Sequence, residues 1–267
     1  MIPTPRLPLS PEDFSCIVEH PLYTDIRSPT ADEIAKLHDS VRHDTPSDLE
    51  HKIERVAVNL KSSTAQVLYM AIDPSTGDSL LHTAVAAQRI DALLVLRRTF
   101  ELRQSSGRYR DIEELLNSHK NHRGENTLHV AARTGNQEMV TAAYRITTRD
   151  RLPGEERYGK PPSEELAEYC ELAMPDDIYG DYSLRVIRLL FLLSKNASGL
   201  TSSEEARAAG YSDIATWIDN VVQRSDPYGE RDDPDKVAGW QEFWNFRFHL
   251  IQTWVGEGVN HGPVMLH

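Results

Sequence analysis

The side chains that most invite a metal reading are His119, His122 and His129, because imidazole is a common zinc ligand. Their spacing makes no helical ligand pair, no cysteine stands beside them, and His129 belongs to a repeated phrase. No metal site is expected. The chain has two cysteines, Cys16 and Cys170. That number gives no disulfide framework and fits a reducing compartment. Cys170 lies among carboxylates (Glu164, Glu165, Glu168, Glu171), which disfavour the thiolate, so it reads as a packing residue and not as a nucleophile. The sequence has no G-x-S-x-G elbow, no phosphate-cradling G-x-x-x-x-G-K-[ST], no G-x-G-x-x-G and no H-E-x-x-H. An enzyme reading has no residue to rest on, and no cofactor is expected.

The histidines make sense as parts of a repeat. Gly77-Asp78-Ser79-Leu80-Leu81-His82-Thr83-Ala84 returns as Gly124-Glu125-Asn126-Thr127-Leu128-His129-Val130-Ala131. Every shared residue is displaced by the same 47 positions. In each copy a glycine supplies a tight turn, a short polar residue (Ser79, Asn126) caps a new helix, and Leu and Ala face a neighbouring unit. Gly135 then lets the chain turn through a left-handed conformation into a second helix. That helix opens with an acid, Glu138, as Asp91 does in the first copy.

The phrase resembles the ankyrin repeat, whose signature runs D-x-x-G-x-T-P-L-H-x-A-A-x-x-G-x-x-E-x-V. The second copy matches through Asn121, Gly124, Leu128, His129, Ala131, Ala132, Gly135, Glu138 and Val140. A third, eroded copy lies 75 residues further on, with Asn196, Gly199, Thr201, Ala206, Gly210 and Asp213, where Ser203 and Glu204 replace the Leu-His pair. Leu80 and Thr127 stand where the family has proline, and Gln88 stands where it has glycine. The last departure costs about 1 kcal/mol if that residue is left-handed. The resemblance implies an all-α solenoid and a structural role for His82 and His129, bonded to backbone near the turns, with His119 and His122 at an exposed tip. It also implies that partners meet the tips and the concave face of the first helices. The free positions there are Ser75, Thr76, Asp78, Ala86 and Ala87 in the first unit, His122, Arg123, Glu125, Arg133 and Thr134 in the second, and Ala197, Ser198, Leu200, Arg207 and Ala208 in the third. Arg123 and Arg133 are the expected anchors.

Other elements must position these units. Residues 1–29 form a proline-rich arm, and residues 30–72 form a helical N-terminal cap. In the cap Ile34, Leu37 and Val41 share one face, Leu49, Ile53, Val56 and Leu60 share another, and a short helix runs from Thr64 to Ala71. Degenerate repeats occupy 73–224. Because the ankyrin period is roughly 33 residues, the long spacings require two insertions, near 101–116 and 146–182. The second carries an acid-rich stretch from Ser163 to Asp181, a helix over Ser163–Ala173 and an apolar helix over Ser183–Leu193. Residues 225–235 read as an acidic linker. Residues 236–267 read as a helix and tail bearing Trp240, Phe243, Trp244, Phe248, Ile251 and Trp254, which cap the array or fold along its side.

The formal charge is −12 and the mean hydropathy −0.50. Direct nucleic-acid binding is disfavoured, and a basic protein partner fits better. No apolar run long enough to span a bilayer and no secretion signal is visible, so an intracellular setting, cytoplasmic or nuclear, is expected. The sequence therefore predicts a non-catalytic protein-binding module: an adaptor, an assembly factor or a chaperone-like escort. A structural subunit of a larger complex is the alternative.

Overall fold

Capping residues decide where the helices begin. In the computed structural model, which describes residues 28–101, 116–148, 182–226 and 228–242, α1 (Ala31–His43) opens on Thr30. The Thr30 hydroxyl accepts from the Glu33 N–H, and the Glu33 carboxylate accepts from the Thr30 N–H. This box satisfies two amides at the helix start, and Asp32 and Glu33 suit the positive end of its dipole. Pro46 begins α2 (Pro46–Leu60) where no N–H is needed, and it keeps Thr45 extended, so α1 and α2 are separate helices. Ser63 and Gln66 form a second box before α3 (Thr64–Met70).

Three helical hairpins follow. They are α4 (Leu80–Ala86) with α5 (Ile90–Glu101), α6 (Thr127–Ala132) with α7 (Gln137–Thr148), and α9 (Ser202–Ala208) with α10 (Ser212–Ser225). Ser79, Asn126 and Thr201 each cap the first helix by accepting from the third helical N–H. Each hairpin bends through one left-handed residue: Gln88 at φ 55°, Gly135 at 70° and Gly210 at 87°. The cost foreseen at Gln88 is thus incurred, and its amide oxygen gains a bond from Asn136 Nδ2 at 3.0 Å in the next hairpin. Gly135 has no such freedom, because an added Cβ would stand 2.5 Å from the Tyr211 ring.

The hairpins stack in two layers. Helices α1, α4, α6 and α9 pack in succession, and behind them lie α2, α3, α5, α7, α8 (Tyr182–Leu193) and α10. One hydrophobic core runs through this stack from Leu37 to Val222. Leu81 and Leu128 occupy equivalent seats, 3% and 0% exposed. Each such burial contributes about 1.5–3 kcal/mol. The third seat holds Ser203, whose buried hydroxyl donates to Asp219. Among the described residues all regular structure is helical, and no helix is long and apolar enough to cross a membrane.

Two expectations gain detail. The apolar helix read over Ser183–Leu193 is α8, and it packs against both α7 and α10. The acidic linker is no simple linker: the buried Asp226 carboxylate accepts from the N–H groups of Glu230 and Arg231, both at 2.9 Å, and pins the short 3-10 turn Glu230–Asp232. After it comes α11 (residues 234–242), whose Trp240 is buried on Val186 and Leu189 of α8. The helix therefore lies along the side of the array, one of the two placements its pattern allows. The arm up to residue 27, Cys16, Cys170, residues 102–115 and 149–181 of the two insertions with the helix read over Ser163–Ala173, and residues 243–267 with Phe243, Trp244, Phe248, Ile251 and Trp254 lie outside the described residues.

Candidate functional site

Three loops precede the hairpins, and each is closed by its own backbone and one polar side chain. Asp73, Asn121 and Asn196 donate their N–H to the carbonyls of Asp78, Glu125 and Leu200, each at 2.9 Å. The Asn121 side-chain oxygen also accepts from the N–H groups of Arg123 and Glu125, and Asn196 repeats this with Ser198 and Leu200. Neighbouring loops are tied edge to edge. The His122 N–H donates to Thr76 O at 2.9 Å, and the Ala197 N–H donates to Arg123 O at 2.8 Å. These are the same bond one unit apart. A side chain at Gly124 would stand 2.9 Å from the Ala197 nitrogen, so glycine is required for this close approach.

The expected contact residues divide into two groups. Ser75, Thr76, Ala86, Ala87, His122, Arg123, Ala197, Ser198, Arg207 and Ala208 are exposed. Asp78, Thr134 and Leu200 are half-buried, with Asp78 accepting from Asn121 Nδ2 at 2.9 Å and the Thr134 hydroxyl donating to Ala131 O. Glu125 needs correction. It was placed among the free tip residues, yet it is only 3% exposed. Arg133 forks onto both of its oxygens, Asn121 Nδ2 donates to one at 3.2 Å, and Arg123 Nη2 lies 3.0 Å away. Burial pushes the Glu125 carboxyl up, but Arg133, Asn121 and Arg123 outweigh it and hold the group below the ordinary carboxylate range. Arg133 is likewise no open anchor, since its guanidinium is committed to Glu125 and lies 3.9 Å from Glu205. Glu205 in turn accepts from Asn196. This polar chain from Asp78 to Asn196, buried at Asn121, Glu125 and Asn196, links all three units, and the sequence reading missed Glu205.

The histidines bond as the repeat resemblance implied for His82 and His129. His82 Nε2 meets Glu125 O at 2.9 Å, and His129 Nε2 meets Leu200 O at 3.1 Å. His38 takes a similar place in the cap, between Thr83 Oγ1 at 2.6 Å and Ala71 O at 3.2 Å. Each ring reaches forward to the next unit. His122 is exposed as expected, but His119 is not at an open tip; its Nε2–H donates to Gly77 O at 2.7 Å and its ring stands edge-on to His82. Burial draws His38 and His119 below the ordinary imidazole value, and it draws His82 down to about 4, with nearby His119 adding to the effect. Among the described residues no group of three or more His, Cys, Asp and Glu side chains could hold a metal ion.

A cleft of about 270 Å³ lies between α8, α9 and α10. Leu192, Leu193, Ile218 and Val222 form its apolar lining, with Ser203, Asp219 and Arg231 as polar lining. The Asp219 carboxylate accepts from both the Ser203 hydroxyl and Arg207 Nη2. A comparison with protein-family models and with curated proteins finds no match to this chain.

Proposed function

We propose that the chain is a short, divergent ankyrin-repeat array that holds a protein partner, as an adaptor or an assembly escort, and carries out no chemistry of its own. The observation that carries this reading is the row of three equivalent loops bonded edge to edge. Their apolar neighbours are committed to stacking, while Ser75, Thr76, His122, Arg123, Ala197 and Ser198 are exposed along one ridge. The exposed Ala86 of α4 and the exposed Glu204, Arg207 and Ala208 of α9 extend this contact surface, while every residue of α6 is buried. A rigid ridge of this kind suits recognition, because its residues lose little freedom on docking.

The partner is a basic protein. What supports this is the net charge of −12, which raises the encounter rate with cations at low salt. An intracellular place, cytoplasmic or nuclear, goes with the sparse cysteines. The test is capture with the full-length chain as bait from extracts of its own cells, at low and high salt, beside a variant carrying Thr76→Ala, His122→Ala and Arg123→Ala. These three side chains lie outside the core, so the variant should keep its helical circular dichroism. We expect it to lose a salt-sensitive partner. Equal recovery by both chains would refute the ridge, and recovery indifferent to salt would refute the basic client.

A further inference from the structure

The charges on the three loops are sorted by sign. Over residues 73–79, 119–126 and 194–201 the charged side chains, histidine aside, are Asp73, Asp78, Lys120, Arg123, Glu125 and Lys195. The acids are turned to the loops themselves. The Asp73 carboxylate accepts from the Ser75 N–H at 2.8 Å and from the Ser75 hydroxyl at 2.6 Å, Asp78 accepts from Asn121 Nδ2, and Glu125 accepts from Arg133. Asp73 and Asp78 are half-buried and Glu125 is buried, whereas Lys120, Arg123 and Lys195 are all exposed. The acids hold the loops in shape, and the bases face solvent.

The bonding between loops sets these bases beside one another. Lys120 Nζ donates to Lys195 O at 3.2 Å, and Arg123 O accepts from the Ala197 N–H at 2.8 Å, so all three residues lie at the junction of the second and third loops. Glu204, at the start of α9, is exposed as well, but its carboxylate accepts from the Thr201 N–H at 2.8 Å. The chain carries −12 overall, and this junction has the other sign. Charge acts here over two ranges. Net charge steers the approach of whole molecules over about a Debye length, roughly 8 Å at physiological salt. Which groups pair on contact is decided by the side chains at the surface.

We propose that the junction of the second and third loops receives an acidic peptide segment of the partner, an extended run with carboxylates at intervals. The inference rests on the reading of the ridge as the contact surface and names the chemistry that lies on it; a partner that is basic overall displays this segment as a local stretch of opposite charge. Lysines on flexible stems are point charges, which suit carboxylates spaced along a strand. A phosphate site would draw on the planar fork of an arginine, and that of Arg123 is shared with Glu125, 3.0 Å from its Nη2. A nucleic acid would bring a continuous row of negative charge against a molecule of −12. Ser75, Thr76 and Ser198, exposed on the same ridge, add hydroxyls that can bond the backbone of such a strand.

The test is fluorescence anisotropy with the full-length chain and three labelled probes of equal charge magnitude: a peptide of alternating glutamate and serine, a peptide of alternating lysine and serine, and a single-stranded oligonucleotide. The acidic peptide should bind best. Lys120→Gln combined with Lys195→Gln should weaken it about tenfold, the scale of two exposed ion pairs. Both side chains are exposed, so that variant should keep its helical circular dichroism. Lys120→Glu with Lys195→Glu should turn the preference toward the basic peptide. A wild-type chain that prefers the basic peptide or the oligonucleotide would overturn the proposal, as would a glutamine variant that binds the acidic peptide as tightly as wild type. If the chain altered at Thr76, His122 and Arg123 loses its partner while wild type ignores the acidic peptide, the charge assignment falls and the ridge stands.

Discussion

Glu125 shows how a single side chain can look free in a sequence and be committed in the fold. Its carboxylate joins Arg133, Arg123 and Asn121, so Glu125→Gln leaves a half-buried guanidinium without its counter-charge. The expected loss is about 1.5–3 kcal/mol, the usual worth of a hydrogen bond to a charged group, read as a lower urea midpoint. Arg123→Ala should cost less than about 1 kcal/mol, because that side chain is 68% exposed and its ion pair is screened. Equal losses in the two variants would contradict the assigned roles. The buried rings add a pH dependence whose sign is fixed. His38, His82 and His119 are depressed in the folded chain, so above the ordinary imidazole value of about 6.5 both states are neutral and the stability is fully present. Below it the unfolded chain takes up protons that the folded rings refuse, for His82 down to about 4, and stability falls by about 1.4 kcal/mol per pH unit for each ring concerned. Urea titrations at pH 7 and pH 5 should show the lower midpoint at pH 5, and an unchanged midpoint would rule the effect out. The sequence made the histidine pattern legible because it repeats. It could not reveal the Glu125 cluster, because Asn121, Glu125 and Arg133 meet only when the second loop closes on its own helix, and Glu205 joins Arg133 only when the third unit stacks.

At the level of the elements, helix starts and turns were readable and end seats were not. Ser79 and Asn126 stood out as caps because their chemistry is local, and the left-handed turn at Gln88 followed from its place in the phrase. Gly135→Ala should cost about 1–2 kcal/mol from its φ alone, and more if Tyr211 cannot move. Gln88→Gly should stay within about 1 kcal/mol of wild type, since relief of strain offsets the bond lost from Asn136. Thermal unfolding of the two variants checks the contrast; a larger loss at Gln88 than at Gly135 would refute it. The third hairpin looked eroded in sequence because Ser203 and Glu204 stand where the Leu-His pair should be. The structure gives a physical reason. Where the other two hairpins place a forward-reaching histidine, Glu204 closes a capping box with Thr201 and secures the helix start.

The whole molecule shares one core, so damage in the middle should be felt at both ends. Leu128→Ala removes a fully buried side chain from the central hairpin and should cost about 2–5 kcal/mol. Amide hydrogen exchange should then quicken by a similar factor in α4 and in α9. If α4 kept its protection while α9 lost it, the stack would be two cooperative bodies and not one. The forward reach of the histidines also gives the molecule a polarity that its near-equivalent units conceal. Cutting away the third hairpin would strand the His129 nitrogen that now meets Leu200 and would expose the far edge of the Glu125 cluster. Removing the first unit would take its own ring with it and leave His129 paired, but it would strand the His119 nitrogen that now meets Gly77. The two cuts should thus leave different marks, a bare nitrogen on His129 after trimming from the carboxyl side and on His119 after trimming from the amino side, and a minimal working fragment keeps a unit on each side of the central hairpin.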